Sequence, residues 1–321
     1  MASIAKIKKA SMIALKDYLG LVEDETLLVV CDEGEKEIGE VMFECGKELC
    51  SEAIYVEMKA RKINGEEPPD PVAAMMQQVD AVICPTTKSL THTRARREAS
   101  KVGVRVATMP GITSDTLIRC MTADHERILE LTNLVAERMK GVKTIRIETK
   151  SGTDISIPIS KRKIISSTGV LRTIGESGNL PSGEVYVAPW EEKTNGKVVF
   201  DGSMAELGII QEPIFVTIKD GYIVNIEGKE QAQDFKNLLD KVGNADAKAV
   251  AEFGIGTNYK ARISGDILED EKVMGTVHIA FGNNVTMGGK ISVASHIDGI
   301  IMKPTVYFDD DLIMEEGRLL I

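Results

Sequence analysis

The 321-residue sequence predicts an α/β N-terminal domain with a mainly parallel sheet, residues 1–142, followed by an α+β, mostly antiparallel domain, residues 143–321. Three observations predict this. Up to about residue 142, short apolar runs alternate with amphipathic helical patterns, which implies a sheet covered on both faces. From Lys143 the apolar period changes to two, with hairpin turns at Ser151-Gly152 and Asp220-Gly221. The length is also sufficient for two hydrophobic cores.

The chain opens on MASIAKIKKASMIALKDYLG, which reads as a basic amphipathic helix. It lacks the uninterrupted apolar core and cleavage site of a secretory leader. Strands follow at TLLVVCDE (26–33), AIYVEM (53–58), AVICPT (81–86) and VRVATMPG (104–111). Helices are predicted between them at 36–50, 71–80 and 87–103, and one long helical stretch runs over 114–141. Parallel sheets gather ligands beyond the C-terminal ends of their strands. No GxGxxG follows the first strand, so a dinucleotide site is not supported. In the second half, TIRIETKSGTDISIPIS and FVTIKDGYIVNIEG read as hairpins, KEQAQDFKNLLDKVG as a helix, and TVYFDDDLIMEEGRLL as a final strand pair.

Composition narrows the function classes. Lys and Arg number 39 against 49 Asp and Glu, a formal charge of −10, which argues against general nucleic-acid binding. The one basic run, THTRARREASK at 91–101, reads as a solvated helix face. Cys31, Cys45, Cys50, Cys84 and Cys120 show no CxxC spacing and read as buried free thiols. No apolar run is long enough to span a bilayer, so no membrane partner is expected and the cytoplasm is the expected location.

The chemistry concentrates near the C-terminus. The chain has four histidines, and two of them, His278 and His296, lie in the glycine-rich stretch TVHIAFGNNVTMGGKISVASHIDGIIMKP. In an extended segment His296 and Asp298 point to one face. With His278 on a neighbouring strand they make a donor set for a divalent transition metal. A hydrogen-bonded pair at a strand end is the alternative. Glu184 and Glu252 are single acids among small or apolar residues, where a buried carboxylate needs a cation or strong donors. Gly254 and Gly256 let the backbone approach a ligand closely. Glu271 is a further candidate, unless Glu269, Asp270 and Glu271 form a charged turn. Two histidines with three or four acids exceed the protein ligands of one ion and suit two ions sharing a carboxylate.

These blocks resemble the aminopeptidase T family of metallopeptidases, also labelled thermophilic metalloproteases or leucyl aminopeptidases. The matching segments are GEVYVAP around Glu184, AEFGIGTN around Glu252, LEDEKVMGTVHIAFG around Glu271 and His278, and SHIDGIIMKPTVY around His296 and Asp298. The resemblance implies two divalent ions held by Glu184, Glu252, Glu271, His278, His296 and Asp298. Two features depart from the peptidases. Asn283, Asn284 and Val285 follow HIAFG where a tyrosine is expected, and Glu271 stands seven residues before His278. The compact length is similar to the 2,5-dihydroxypyridine dioxygenases, which use one ferrous ion. There, His92 would match a base in the N-terminal domain.

The leading expectation is a metal-dependent aminopeptidase acting on small peptides, with two zinc, cobalt or manganese ions and Glu252 as general base. Tyr186, Tyr259 or Tyr307 would then stand in for the missing tyrosine. The alternative is a ring-cleaving dioxygenase with one Fe(II) on His278, His296 and Asp298, taking a small aromatic diol. A third reading is a non-catalytic metal-stabilised binding protein. A homodimer is expected.

Overall fold

The structure is a computed structural model and describes residues 3–321. It divides into two compact units. One comprises the chain up to His125 together with Gly169–Ser182, and the other Glu126–Thr168 with Gly183–Ile321. The change of hydrophobic period at Lys143 marks where the antiparallel strands begin, whereas packing divides the chain one helix earlier. That helix sinks Val135, Ala136 and Met139 into the second unit's core.

The first unit is built on β1 (Thr26–Asp32), β2 (Glu52–Met58), β3 (Ala81–Thr86) and β4 (Arg105–Pro110). A short fifth strand joins them, numbered along the whole chain as β8 (Ser177–Asn179). All pairs are parallel, in the order β2-β1-β3-β4-β8. Alternation along the strands builds two cores. Leu27, Val29, Ile83 and Met109 pack on one face with α1 (Ile4–Ile13), α2 (Lys36–Leu49) and α5 (Ser114–Met121). Leu28, Val30, Val82 and Cys84 pack on the other with α3 (Asp70–Met75) and α4 (Arg94–Lys101). The five cysteines are free and buried.

α3 ends at Met75, short of the predicted 80, and two further helices differ from their predicted spans. The stretch 87–93 is not helical, because Thr87 ties down to Asp32 and Thr93 caps α4 by accepting from the Arg96 N–H at 3.2 Å. The long stretch over 114–141 breaks at residues 122–124 into α5 and α6 (His125–Met139).

The second unit holds two antiparallel sheets. One has eight strands, in the order β14-β13-β10-β6-β5-β18-β19-β20. It contains β5 (Thr144–Glu148), β6 (Asp154–Pro158), β10 (Asn195–Phe200), β13 (Ile214–Lys219), β14 (Tyr222–Glu227), β18 (Thr305–Phe308), β19 (Asp311–Glu315) and β20 (Arg318–Leu319). Asp220 and Gly221 both take positive φ between β13 and β14, as a tight hairpin turn requires. The other sheet has seven strands, in the order β12-β11-β17-β16-β15-β9-β7. These are β7 (Ile165–Ser167), β9 (Glu184–Val187), β11 (Ser203–Met204), β12 (Gly208–Ile209), β15 (Val250–Gly256), β16 (Thr276–Gly282) and β17 (His296–Met302). Ile145, Ile155, Val216 and Val306 of the first sheet and Val185, Phe253, Val277 and Ile301 of the second share one core, closed by α6 and α7 (Glu230–Lys241). Among the described residues no helix is long and apolar enough to cross a membrane.

Candidate metal centre

The register of the seven-stranded sheet assembles the polar site. Val185, Phe253, Ile255, Val277, Ile279, Ile297 and Ile301 take the core face. The residues between them must therefore take the other face. Cross-strand partners there are Glu184 with Gly256, Tyr186 and His278 with Gly254, Ala280 with Glu252 and Asp298, and His296 with Gly282. Small residues alternate with the functional ones for a steric reason. A Cβ on Gly254 would lie 2.0 Å from His278 Nε2, so the imidazole needs a glycine beneath it.

All six acids and histidines singled out as ligands converge on this face. Ligand atoms of Glu252, His296 and Asp298 lie within 4.8 Å of one another, and so do those of Glu184, Glu271 and His278. His296 Nε2 is 3.2 Å from Glu252 and 3.5 Å from Asp298. His278 Nε2 is 3.3 Å from Glu252 and 3.7 Å from Glu184. Bonds of about 2.1 Å to one ion place neighbouring donors roughly 3.0–3.4 Å apart, so the spacing around Glu252 fits a metal. Glu252, His296 and Asp298 form one donor group, with His278 beside it at Glu252.

Hydrogen bonding orients the donors. His296 Nδ1 donates to the Asn283 carbonyl at 2.7 Å, which turns Nε2 toward the carboxylates. The Asn283 side chain in turn holds its loop, donating to Val293 O at 3.0 Å and accepting from the Val285 N–H at 3.2 Å. Asn283 thus occupies the stretch where a tyrosine was expected and acts through its backbone.

The electrostatics are those of an acid cluster. Burial works to raise Glu252, but hydrogen bonds from His278 and His296 hold its carboxyl at about 2. Burial disfavours the charged form of His278, yet Glu252 and the other acids raise it to about 9. His296 is raised well above its ordinary range against the same burial by Asp298 and Glu252. Burial, offset in part by Lys272, pushes Glu271 up to about 8. Imidazolium protons therefore do in the metal-free site what a divalent ion would do in a loaded one.

One member of the cluster had no signal in the sequence. Lys272 is fully buried, with Nζ 3.1 Å from Glu184 and in direct hydrogen-bonded contact with Glu271. A lysine following three acids reads as part of a charged turn. Here Glu269 and Asp270 are buried as well, and they tie down the loop before β16 through Arg262, Ser264, Gly265 and Ser203.

His92 belongs to the first unit, exposed in the turn before α4, and is not among the residues of either donor group. Tyr307 stacks on Arg146 and Tyr259 on Arg127, whereas Tyr186 shares the face of Glu184.

The profile of a known family, NicX: 2,5-dihydroxypyridine 5,6-dioxygenase, matches residues 25–321. The 2,5-dihydroxypyridine 5,6-dioxygenase of Pseudomonas putida KT2440 is 22% identical over 261 residues, 76% of this chain and 72% of that protein. Aminopeptidase PepS of Streptococcus thermophilus is 35% identical over 106 residues, 32% of this chain and 25% of that protein. The solved 2,5-dihydroxypyridine dioxygenase of P. putida KT2440 superposes with a TM-score of 0.86 at 18% identity, covering 100% of this chain and 98% of that one. Wild-type AmpT of Thermus thermophilus superposes with a TM-score of 0.72 at 17% identity, covering 99% of each chain. Both superpositions speak to the fold, and the relatives are enzymes of two kinds, dioxygenase and aminopeptidase. With a match spanning nearly its whole length, the chain belongs to the NicX, or 2,5-dihydroxypyridine 5,6-dioxygenase, family.

Proposed function

We propose that this chain is a metal-dependent ring-cleaving dioxygenase acting on a small dihydroxylated pyridine or related aromatic diol. The carrying observation is the donor set of His296, Asp298, Glu252 and His278 on one sheet face of a chain in this family. Two imidazoles with a carboxylate and open positions suit ferrous iron in oxygenases. Ferrous iron held by His278, His296 and Asp298 would supply the redox chemistry with dioxygen. The chain's residues supply orientation and proton handling. His296 is held by Asn283 with Nε2 inward, and Asp298 follows two residues later along an extended strand. Glu252 lies between the two imidazoles, 3.3 Å from His278 and 3.2 Å from His296, and would complete the donor set beside them. The proposed role of His92 as a base rests on resemblance alone and has its own test. His92→Ala should keep the metal and lower turnover, and unchanged turnover removes it from the mechanism.

The test is oxygen uptake with ring opening of 2,5-dihydroxypyridine by protein loaded anaerobically with Fe(II). No uptake, together with hydrolysis of unblocked leucine arylamides under zinc, cobalt or manganese, would overturn the proposal. That outcome is what the second reading expects, a two-ion aminopeptidase. The adjoining group of Glu184, Glu271 and His278 and the local likeness to PepS favour it. Such an enzyme should ignore N-acetylated substrates.

A further inference from the structure

We propose that Lys272 is a built-in cation that fills the second donor group, so that this chain has one metal position, at Glu252, His296, Asp298 and His278, instead of two. The inference rests on the reading of this cluster as a metal centre and not on which reaction the metal supports.

Geometry carries it. The group of Glu184, Glu271 and His278 has the donors of a second metal position, but two of its three members already serve an ammonium. Lys272 Nζ lies 3.1 Å from Glu184 Oε1 and is hydrogen-bonded to Glu271 Oε1. A divalent ion bound through the same oxygens would meet a fixed positive charge at close range in a buried site, where repulsion is weakly screened.

The lysine cannot readily swing aside. Its side chain is fully buried, and its backbone is clamped on both sides. The Lys272 N–H donates to Glu269 O at 3.0 Å, and its carbonyl accepts from the Asn258 N–H at 2.9 Å. The clamp also lies directly on β15. A Cβ on Gly256 would come within 2.2 Å of Val273 O and 2.7 Å of Lys272 C, so Gly256 is what admits this segment. The chain α8 (Ile267–Asp270), whose N-terminus is capped by Asp266 at 3.1 Å, delivers Glu271 and Lys272 to the cluster together. The acid and the ammonium it contacts thus arrive as one unit. On the other side, the ion-pair partners recorded for Glu252 are the imidazoles of His278 and His296, which are themselves donor groups for a metal.

The test is metal stoichiometry of the full chain, independent of turnover. Metal-stripped protein is saturated with Mn2+ and, separately, Zn2+, and bound metal is counted by elemental analysis and titration calorimetry. Wild type should bind one ion per chain, and bound Mn2+ should give the isolated six-line EPR signal of a single ion. Two ions per wild-type chain, or a spin-coupled Mn2+ pair, overturns the proposal whatever the variants do. Lys272→Met should raise the stoichiometry from one to two, and Lys272→Arg should keep it at one. A folded Lys272→Met protein that still binds one ion also overturns it. If Lys272→Met unfolds without metal, refolding in excess Mn2+ with two ions bound supports the proposal, and refolding with one counts against it. Absence of ring cleavage in an otherwise one-ion protein would defeat the dioxygenase reading and leave this inference standing.

Discussion

His296 serves as a donor only while its far nitrogen is held. The Asn283 carbonyl does the holding, and the Asn283 side chain fixes that carbonyl by bonding to Val293 and Val285. Outer partners of this kind typically change metal affinity by about 10- to 100-fold when removed. Asn283→Ala should therefore weaken metal binding by roughly that factor while leaving the stoichiometry unchanged. Competition with a chelator measures it, and wild-type affinity in the variant would mean the loop needs no side-chain anchor. Replacing the donor is harsher: His278→Ala or His296→Ala should abolish measurable binding and activity, while the first unit keeps its far-UV signature. Retention of metal by both variants would refute the site. The sequence makes these residues legible because few imidazoles and isolated acids stand out in apolar surroundings. Lys272 is not legible, since a lysine after three acids has the composition of a solvated turn and only the tertiary clamp buries it.

At the scale of elements, strand alternation explains why the candidate site could be read in outline. His296 and Asp298 share a face because β17 is extended, and the same rule places Glu184 with Tyr186 and Glu252 with Gly254. Sequence alone does not give the register that brings four strands together, nor the ring position that makes Gly254 obligatory. Gly254→Ala is the corresponding prediction. Its Cβ would overlap His278 Nε2, so the ring must move and the backbone of β15 must give. Overpacking of this kind costs about 1–3 kcal/mol of stability. The sharper effect should be on the metal, a loss of affinity larger than that of Asn283→Ala. Chelator competition and thermal melting read both, and unchanged affinity would show that His278 is not a donor from this position. Elements with weak local signals escaped prediction. β8 is Ser-Gly-Asn, without a β-branched residue, and pairs only because β4 offers an open edge. The capping threonine of α4 could have shortened that helix at the outset, since Thr93 is a residue type that starts helices.

At the scale of the molecule, the fold class followed from a periodicity that each sheet's burial obliges. β3, buried throughout, and β1, buried after Thr26, lie between helices on both faces, whereas β5 and β6 alternate buried and more exposed positions. The division into units was less legible, because α6 has a helix's period wherever it packs.

The second unit also carries a charge arrangement that should show in its melting. His278 sits at about 9 in the folded metal-free protein against an ordinary 6.5, and Glu271 at about 8 against 4.5. Both folded values are raised, so both groups favour the folded state when protonated. The His278 contribution is whole below pH 6.5 and is lost as pH rises through 9. The Glu271 contribution is likewise lost between 4.5 and 8. Glu252, held at about 2, acts in the opposite sense but only below pH 4.5. Metal-free protein should therefore lose melting temperature from pH 6.5 to 9, by about 2–4 °C for each kcal/mol in a unit of this size. A bound divalent ion reverses the preference, because it needs the imidazoles deprotonated. The stabilisation conferred by metal should then grow across the same interval. Parallel melts of stripped and Mn2+-loaded protein between pH 6 and 9.5 decide the matter. A metal-free melting temperature that holds level or rises over that range would mean the imidazoles and Glu271 do not carry the protons assigned to them.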